Sequence, residues 1–158
     1  MSTAETLKDI TANADTAPLF VFVCTGNTCR SPMAEAIFNF RYPHMGKAVS
    51  CGVTATGRSP ISKEAAEALR ERGVSPAYFE DHVSCPVTKE LFEKADRIIG
   101  MTGDHAKYLI MHHPEFAGKI FAMPGDISDP FGCTPERYKK CLGEIEAGLE
   151  IAFGDVNE

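Results

Sequence analysis

The stretch Leu19-Phe20-Val21-Phe22-Val23-Cys24-Thr25-Gly26-Asn27-Thr28-Cys29-Arg30-Ser31-Pro32-Met33-Ala34-Glu35-Ala36-Ile37-Phe38 decides how the chain is read. Leu19 to Val23 is an apolar run, the pattern of a strand buried on both faces. Pro32 to Phe38 opens a helix, with proline at the first helical position, where a missing N–H is no loss. A tight loop, Cys24 to Ser31, joins them. Strand, loop and helix N-terminus in that order form an anion cradle, because loop N–H groups and the positive helix end face one point. The cradle starts with a thiol and ends with a guanidinium. It reads as a phosphate site with a cysteine nucleophile.

Each residue type suits that chemistry. Loop N–H groups, the helix end and Arg30 all favour the thiolate at Cys24. Ser31 can donate a hydroxyl hydrogen bond to the sulfur. The planar fork of Arg30 matches two phosphoryl oxygens. Gly26 lets the backbone approach an anion, and Asn27 tolerates a left-handed conformation while its amide braces the loop. Thr25, Thr28 and Cys29 complete the expected substrate-binding loop. A zinc reading of Cys24 and Cys29 lacks a second Cys/His pair at suitable spacing. His112 and His113 read as solvated residues at a helix end. Neither a metal nor a cofactor is called for.

Transfer of a phosphoryl group to a thiol also needs a proton donor for the leaving group. Asp129 is the candidate. It stands before Pro130, which favours an extended backbone, and Phe131 follows as an apolar wall. The loop comes after a fourth strand and so can reach the sheet edge where Cys24 emerges. Asp126 is the competing carboxylate.

Further out, the elements alternate. Helix one spans about Ser31 to Phe40, with Met33, Ala36, Ile37 and Phe40 as its core-facing stripe. Lys47 to Cys51 is a second strand, followed by Gly52 and a loop over Thr54 to Pro60. Ser62 caps a helix that ends at Gly73. Tyr78 to Pro86 reads as irregular. Thr88 caps a helix reaching Lys94, and Asp96 to Met101 is a third strand. Thr102 or Asp104 opens the next helix, which Pro114 stops. Lys119 to Met123 is the fourth strand, and Pro124 to Gly132 a long loop. Thr134-Pro135 opens the last helix, with Tyr138, Cys141, Leu142, Ile145, Leu149 and Phe153 on one side. This predicts an α/β domain: a four-stranded parallel sheet with helices on both faces, right-handed crossovers, and the nucleophile loop after strand one.

Bulk properties bound the partners. The 158 residues suit one domain, expected over 17–158, with 1–16 a loose N-terminal extension. A net charge of -6 argues against nucleic acid. No apolar run reaches the roughly 18 residues of a membrane span, and the N-terminus lacks a signal-peptide core. The six cysteines are not dense for this length. Free thiols in a reducing cytoplasm, and a monomer, are therefore expected.

Cys24 to Ser31 near the start and Asp129-Pro130-Phe131 near the end resemble the low-molecular-weight protein tyrosine phosphatase family. Ser50-Cys51-Gly52, Asp81-His82-Val83-Ser84 and Ala95 to Met101 support the resemblance, which covers roughly Leu19 to Phe153. It implies a metal-independent two-step reaction on phosphorylated proteins. Cys24 takes the phosphoryl group, and Asp129 first protonates the leaving atom, then deprotonates water. Arg30 and the loop N–H groups stabilise the group in transit. The resemblance also implies a reversible disulfide between Cys24 and Cys29 under oxidation, a redox role for Cys29.

Thr28 bears on the substrate. Tyrosine-directed members commonly carry a larger aliphatic residue there, and threonine looks like the bacterial protein arginine phosphatase branch. Its smaller, partly polar side chain narrows what the pocket accepts near the attacking line, and its hydroxyl can orient water or a guanidinium N–H. Phe131 stands where tyrosine or tryptophan is common, Cys51 where alanine is usual, and Cys133 where glycine is common. Phosphoarginine is thus the expected substrate, with phosphotyrosine the alternative. An arsenate reductase would need a second cysteine close behind Cys85, which is absent. A phosphoprotein-binding module would need neither thiol nor acid.

Overall fold

The computed structural model describes residues 17–154; the extension expected over 1–16 lies outside them. The elements are β1 (Leu19–Cys24), α1 (Arg30–Arg41), β2 (Lys47–Gly52), α2 (Lys63–Glu71), α3 (Lys89–Lys94), β3 (Arg97–Gly100), α4 (Gly103–His112), β4 (Ile120–Ala122) and α5 (Pro135–Phe153). The four strands form one parallel sheet in the order β2-β1-β3-β4. β1 is an inner strand, so its end is flanked by backbone on both sides.

Period-two alternation divides the core. Phe20, Phe22 and Cys24 join α1, α2 and α5 on one face of the sheet. Val21 and Val23 join α3 and α4 on the other. Helices therefore cover both faces, as the uninterrupted apolar run of β1 demands. On the larger face Phe38 stands 5.0 Å from Phe20 and 5.1 Å from Phe153, centroid to centroid. Aromatic pairs at that spacing contribute about 0.5–1.5 kcal/mol beyond simple burial. Glu146 of α5 binds Arg41 of α1 at 2.6 Å and Arg72, just after α2, at 3.2 Å. One shielded carboxylate thus ties three helices together.

Side-chain caps define the helix starts. Ser62, Thr88, Thr102 and Thr134 each accept the backbone N–H three residues on. For α4, Thr102 rather than Asp104 is the cap. α1 differs: it starts at Arg30, and Cys29 gives it no side-chain cap.

One expectation needs correction. Phe40, assigned to the core stripe of helix one, is 36% exposed and packs against Tyr78, whereas Phe38 is fully buried. α1 is wedged between the sheet and α5, so it buries more than one stripe. Pro114 stops α4 but opens a 3-10 helix, Pro114–Lys119, before β4. The stretch read as irregular, Tyr78 to Pro86, holds neither helix nor strand between the end of a 3-10 turn at Tyr78 and the bridge from Pro86 to Gly52. Among the described residues no helix is long and apolar enough to cross a membrane.

Candidate active site

β1 delivers Cys24, almost fully buried, to the carboxyl edge of the sheet. The chain then turns through Asn27, the one non-glycine residue with positive φ (60°) among those described. Asparagine suits that conformation because its short amide can bond locally. Gly52, ending β2, presses against this turn. A Cβ there would stand 2.7 Å from Thr25 O and 2.9 Å from Asn27 N. Only glycine leaves the loop room to close.

Asn27 also organises what lies beneath. Its Oδ1 accepts the Cys85 N–H at 2.9 Å. That backbone donor fixes the amide, so Nδ2 faces two hydroxyls, Ser31 Oγ and Ser50 Oγ, each at 2.9 Å. Both hydroxyls accept from the amide and turn their own hydrogens outward. Ser31 Oγ then stands 2.8 Å from Cys24 Sγ, with Cys51 O a second neighbour at 3.5 Å, and Ser50 donates to Glu35 Oε1 at 2.8 Å. The Asn27 N–H lies 3.3 Å from the same sulfur. One amide thus holds a hydroxyl beside the thiol. Ser31, expected to bind substrate, is fully buried and does not line the pocket. Its hydroxyl serves the sulfur instead.

Glu35 has its pKa raised from 4.5 to about 7, chiefly by burial, with the Ser50 hydrogen bond and Lys47 pulling the other way. The folded protein holds this proton more tightly than the unfolded chain does. That stabilising contribution is complete below pH 4.5 and is lost as pH rises through about 7. Glu35→Gln should remove about 3 kcal/mol of pH-dependent stability across that window. Thermal melting as a function of pH reads the effect, and an unchanged slope would place the dependence elsewhere.

The pocket is lined by Cys24, Thr25, Gly26, Asn27, Thr28, Cys29, Arg30, Asp129 and Phe131. Its volume, about 220 Å³, is below the roughly 300 Å³ at which sites for whole small molecules begin. It suits one polar group and the atoms next to it. Arg30 is buried, and its Nη1 donates to Ile127 O at 3.1 Å. Its Nη2 stands 3.7 Å from Asp129 Oδ2, on a side chain 57% exposed. A pair so open to solvent adds little stability, but it sets the carboxylate at the rim.

Asp129 is held by its own turn, with Oδ1 accepting the Phe131 N–H at 3.1 Å. Ser128, beside it, gives its N–H and hydroxyl to Glu144 Oε1 of α5 at 3.1 and 2.7 Å. Phe131 is 75% exposed at the mouth. Asp126, the competing carboxylate, instead accepts the Gly103 N–H at 2.8 Å and does not line the pocket.

Cys29 faces hydroxyls. Ser62 Oγ and the Tyr138 hydroxyl lie 3.5 Å from its sulfur, and Thr28 Oγ1 lies 3.7 Å away. All six cysteines are free thiols. Burial, with Cys85 and Cys24 nearby, pushes the Cys51 thiol up; burial also raises Cys85 and lifts Cys141 to about 12. Among the described residues no His/Cys/Asp/Glu group is arranged to hold a metal ion.

Two histidines, His82 and His105, have no role assigned from the sequence. His82 Nε2 donates to Asn27 O at 2.8 Å, an orientation the carbonyl dictates, and burial lowers its pKa. His105 Nε2 lies 2.9 Å from Thr25 Oγ1. The one signal for His105 in the sequence is its place three residues after the Thr102 cap.

A family model described as low molecular weight phosphotyrosine protein phosphatase matches residues 20–158. The protein-arginine-phosphatase of Bacillus subtilis (strain 168) is 38% identical over 136 residues, 80% of this chain and 88% of that protein. The protein-arginine-phosphatase of Geobacillus stearothermophilus is 36% identical, over 82% of this chain and 90% of its own length. A solved low molecular weight protein tyrosine phosphatase from T. tengcongensis superposes with a TM-score of 0.79. It is 37% identical and covers 85% of this chain and 97% of its own.

Proposed function

The chain belongs to the low molecular weight phosphotyrosine protein phosphatase family, and from that premise we propose that it hydrolyses phosphoarginine in proteins through a phosphocysteine on Cys24. It is a cysteine-dependent protein phosphatase that works without metal. Thr28 carries the substrate assignment: it lines the same pocket as Cys24 and Asp129. The similarity to two proteins named for arginine phosphatase activity supports that reading.

In the first step the Cys24 sulfur attacks phosphorus and the P–N bond breaks. Asp129 gives its proton to the departing guanidine nitrogen. Arg30 and the loop N–H groups hold the nonbridging oxygens as charge shifts onto them. In the second step Asp129 takes a proton from water, whose oxygen attacks phosphorus. The S–P bond breaks, releasing orthophosphate and the thiolate. Thr25, Gly26, Asn27, Thr28 and Cys29 bind the phosphoryl group through the loop, and Phe131 walls the leaving group. Under oxidation Cys29 closes a disulfide onto Cys24, which withdraws the nucleophile reversibly.

The deciding experiment compares kcat/KM on a phosphoarginine peptide with that on a phosphotyrosine peptide in reducing buffer. Preference for phosphoarginine supports the proposal; preference for phosphotyrosine overturns the substrate and keeps the roles of Cys24, Arg30 and Asp129. The second reading has its own observation, since the exposed ring of Phe131 at the mouth also suits an aryl group.

Two variants sharpen this. Thr28→Ile should shift relative kcat/KM toward phosphotyrosine by about tenfold or more, the scale of one added apolar contact and one lost polar contact. An unaltered ratio would leave Thr28 without a part in selection. Asp129→Asn should slow hydrolysis of esters with poor leaving groups by about 100-fold, and p-nitrophenyl phosphate far less. Equal losses on both would remove Asp129 from the acid role.

A further inference from the structure

Thr25 is an exposed loop residue that lines the pocket, and its hydroxyl has a partner from outside the loop. That partner, His105, sits buried in the first turn of α4. Its second ring nitrogen, Nδ1, lies 2.9 Å from Thr102 Oγ1. Tight packing fixes the ring's position. A Cβ on Gly100, the last residue of β3, would stand 2.8 Å from Ala106 N and 3.0 Å from His105 Cβ. Gly100 pairs with Val23. The first turn of α4 is therefore pressed against the sheet edge from which Cys24 emerges.

One polarity of this chain of hydrogen bonds frees the Thr25 hydroxyl for a ligand. Thr102 Oγ1 accepts the His105 backbone N–H at 3.1 Å. In this polarity the Thr102 hydroxyl hydrogen goes to the Nδ1 lone pair. The ring proton then sits on Nε2 and is donated to Thr25 Oγ1. Thr25, having accepted, turns its hydroxyl hydrogen away from the imidazole. Burial, with Arg30 nearby, lowers the pKa of His105 against the opposing pull of Asp104, Asp129 and Asp126. That lowering favours the neutral ring, which this polarity requires.

We propose that His105 is a positioning residue that sets Thr25 as a hydroxyl donor to a nonbridging phosphoryl oxygen. The pocket thus has a side-chain donor beside the loop N–H groups and the Arg30 fork. The proposal rests on the phosphatase reading above.

A double-mutant cycle of Thr25→Val and His105→Ala tests it, with Thr25→Ser and His105→Gln as conservative partners. The readouts are kcat/KM on p-nitrophenyl phosphate and orthophosphate binding by calorimetry, each on protein checked by thermal melting. Thr25→Val should lower both by about tenfold, the worth of one hydrogen bond to a charged group. His105→Ala should act in the same direction in the parent and have no further effect beside Thr25→Val. Thr25→Ser and His105→Gln, which keep a hydroxyl and an N–H donor, should recover most of the loss. Equal losses from His105→Ala in both backgrounds, or parental values in Thr25→Val, overturn the proposal. If His105→Ala does not fold, Thr25→Val and His105→Gln still decide. A parent that hydrolyses no phosphate ester would remove the phosphatase reading instead. Orthophosphate binding would then decide alone, and an unchanged Kd in Thr25→Val would overturn the inference.

Discussion

Cys24→Ser is expected to lower kcat at least about 10⁴-fold, the scale seen when a covalent nucleophile is removed, while orthophosphate still binds. The reason is the division of labour in the loop. Attack needs a sulfur that ionises readily, and a serine hydroxyl does not. Binding needs the loop N–H groups, the α1 N-terminus and the Arg30 fork, none of which the substitution touches. The surroundings accept the smaller atom, because the Ser31 hydroxyl and Asn27 N–H that face Cys24 Sγ can bond to oxygen. Steady-state kinetics and phosphate calorimetry on one preparation check both halves. Residual turnover within tenfold of the parent would require another nucleophile.

Arg30→Lys should cost about 10²–10³-fold in kcat, the range measured for losing a preorganised donor to developing charge. Lysine keeps the charge but not the fork. Nη1 of Arg30 is held by Ile127 O while Nη2 stands beside Asp129 Oδ2. A single ammonium cannot hold that carbonyl and embrace two phosphoryl oxygens at once. An unpaired Ile127 carbonyl should also lower stability by about 1–3 kcal/mol, read as a fall in Tm. A KM that rises while kcat holds would mean that Arg30 binds the ground state and transition state alike.

The loop and its chemistry are legible in the sequence because they are local. Cys24, Asn27, Arg30 and Ser31 lie within one turn and one helix start, and their order dictates the cradle. The alternation that sends Phe20 and Phe22 one way and Val21 and Val23 the other is local too. Asp129 was reachable because Pro130 fixes its backbone and the strand count fixes its sheet edge. What escaped depends on pairs distant in the chain. Ser50 and Glu35 read as a strand serine and a helix-face carboxylate until the sheet brings the one beneath Asn27 and beside the other. His105 has no signature beyond the cap three residues before it. Phe40 misled because the helical stripe assumes a single covered face, and α1 is covered on two. Ser31 was legible as a partner of the sulfur, yet only the fold shows that it is walled off from the pocket.

The bond between Arg30 and Ile127 joins residues 97 positions apart, and that between Cys29 and Tyr138 joins residues 109 apart. The ribosome makes the nucleophile loop early and its braces late. A nascent chain halted before α5 carries the thiol, the guanidinium and the Ile127 carbonyl, but neither the Tyr138 hydroxyl that faces Cys29 nor the Glu144 carboxylate that braces Ser128. The nucleophile loop and the Asp129 loop therefore gain their full set of braces only when the last helix docks.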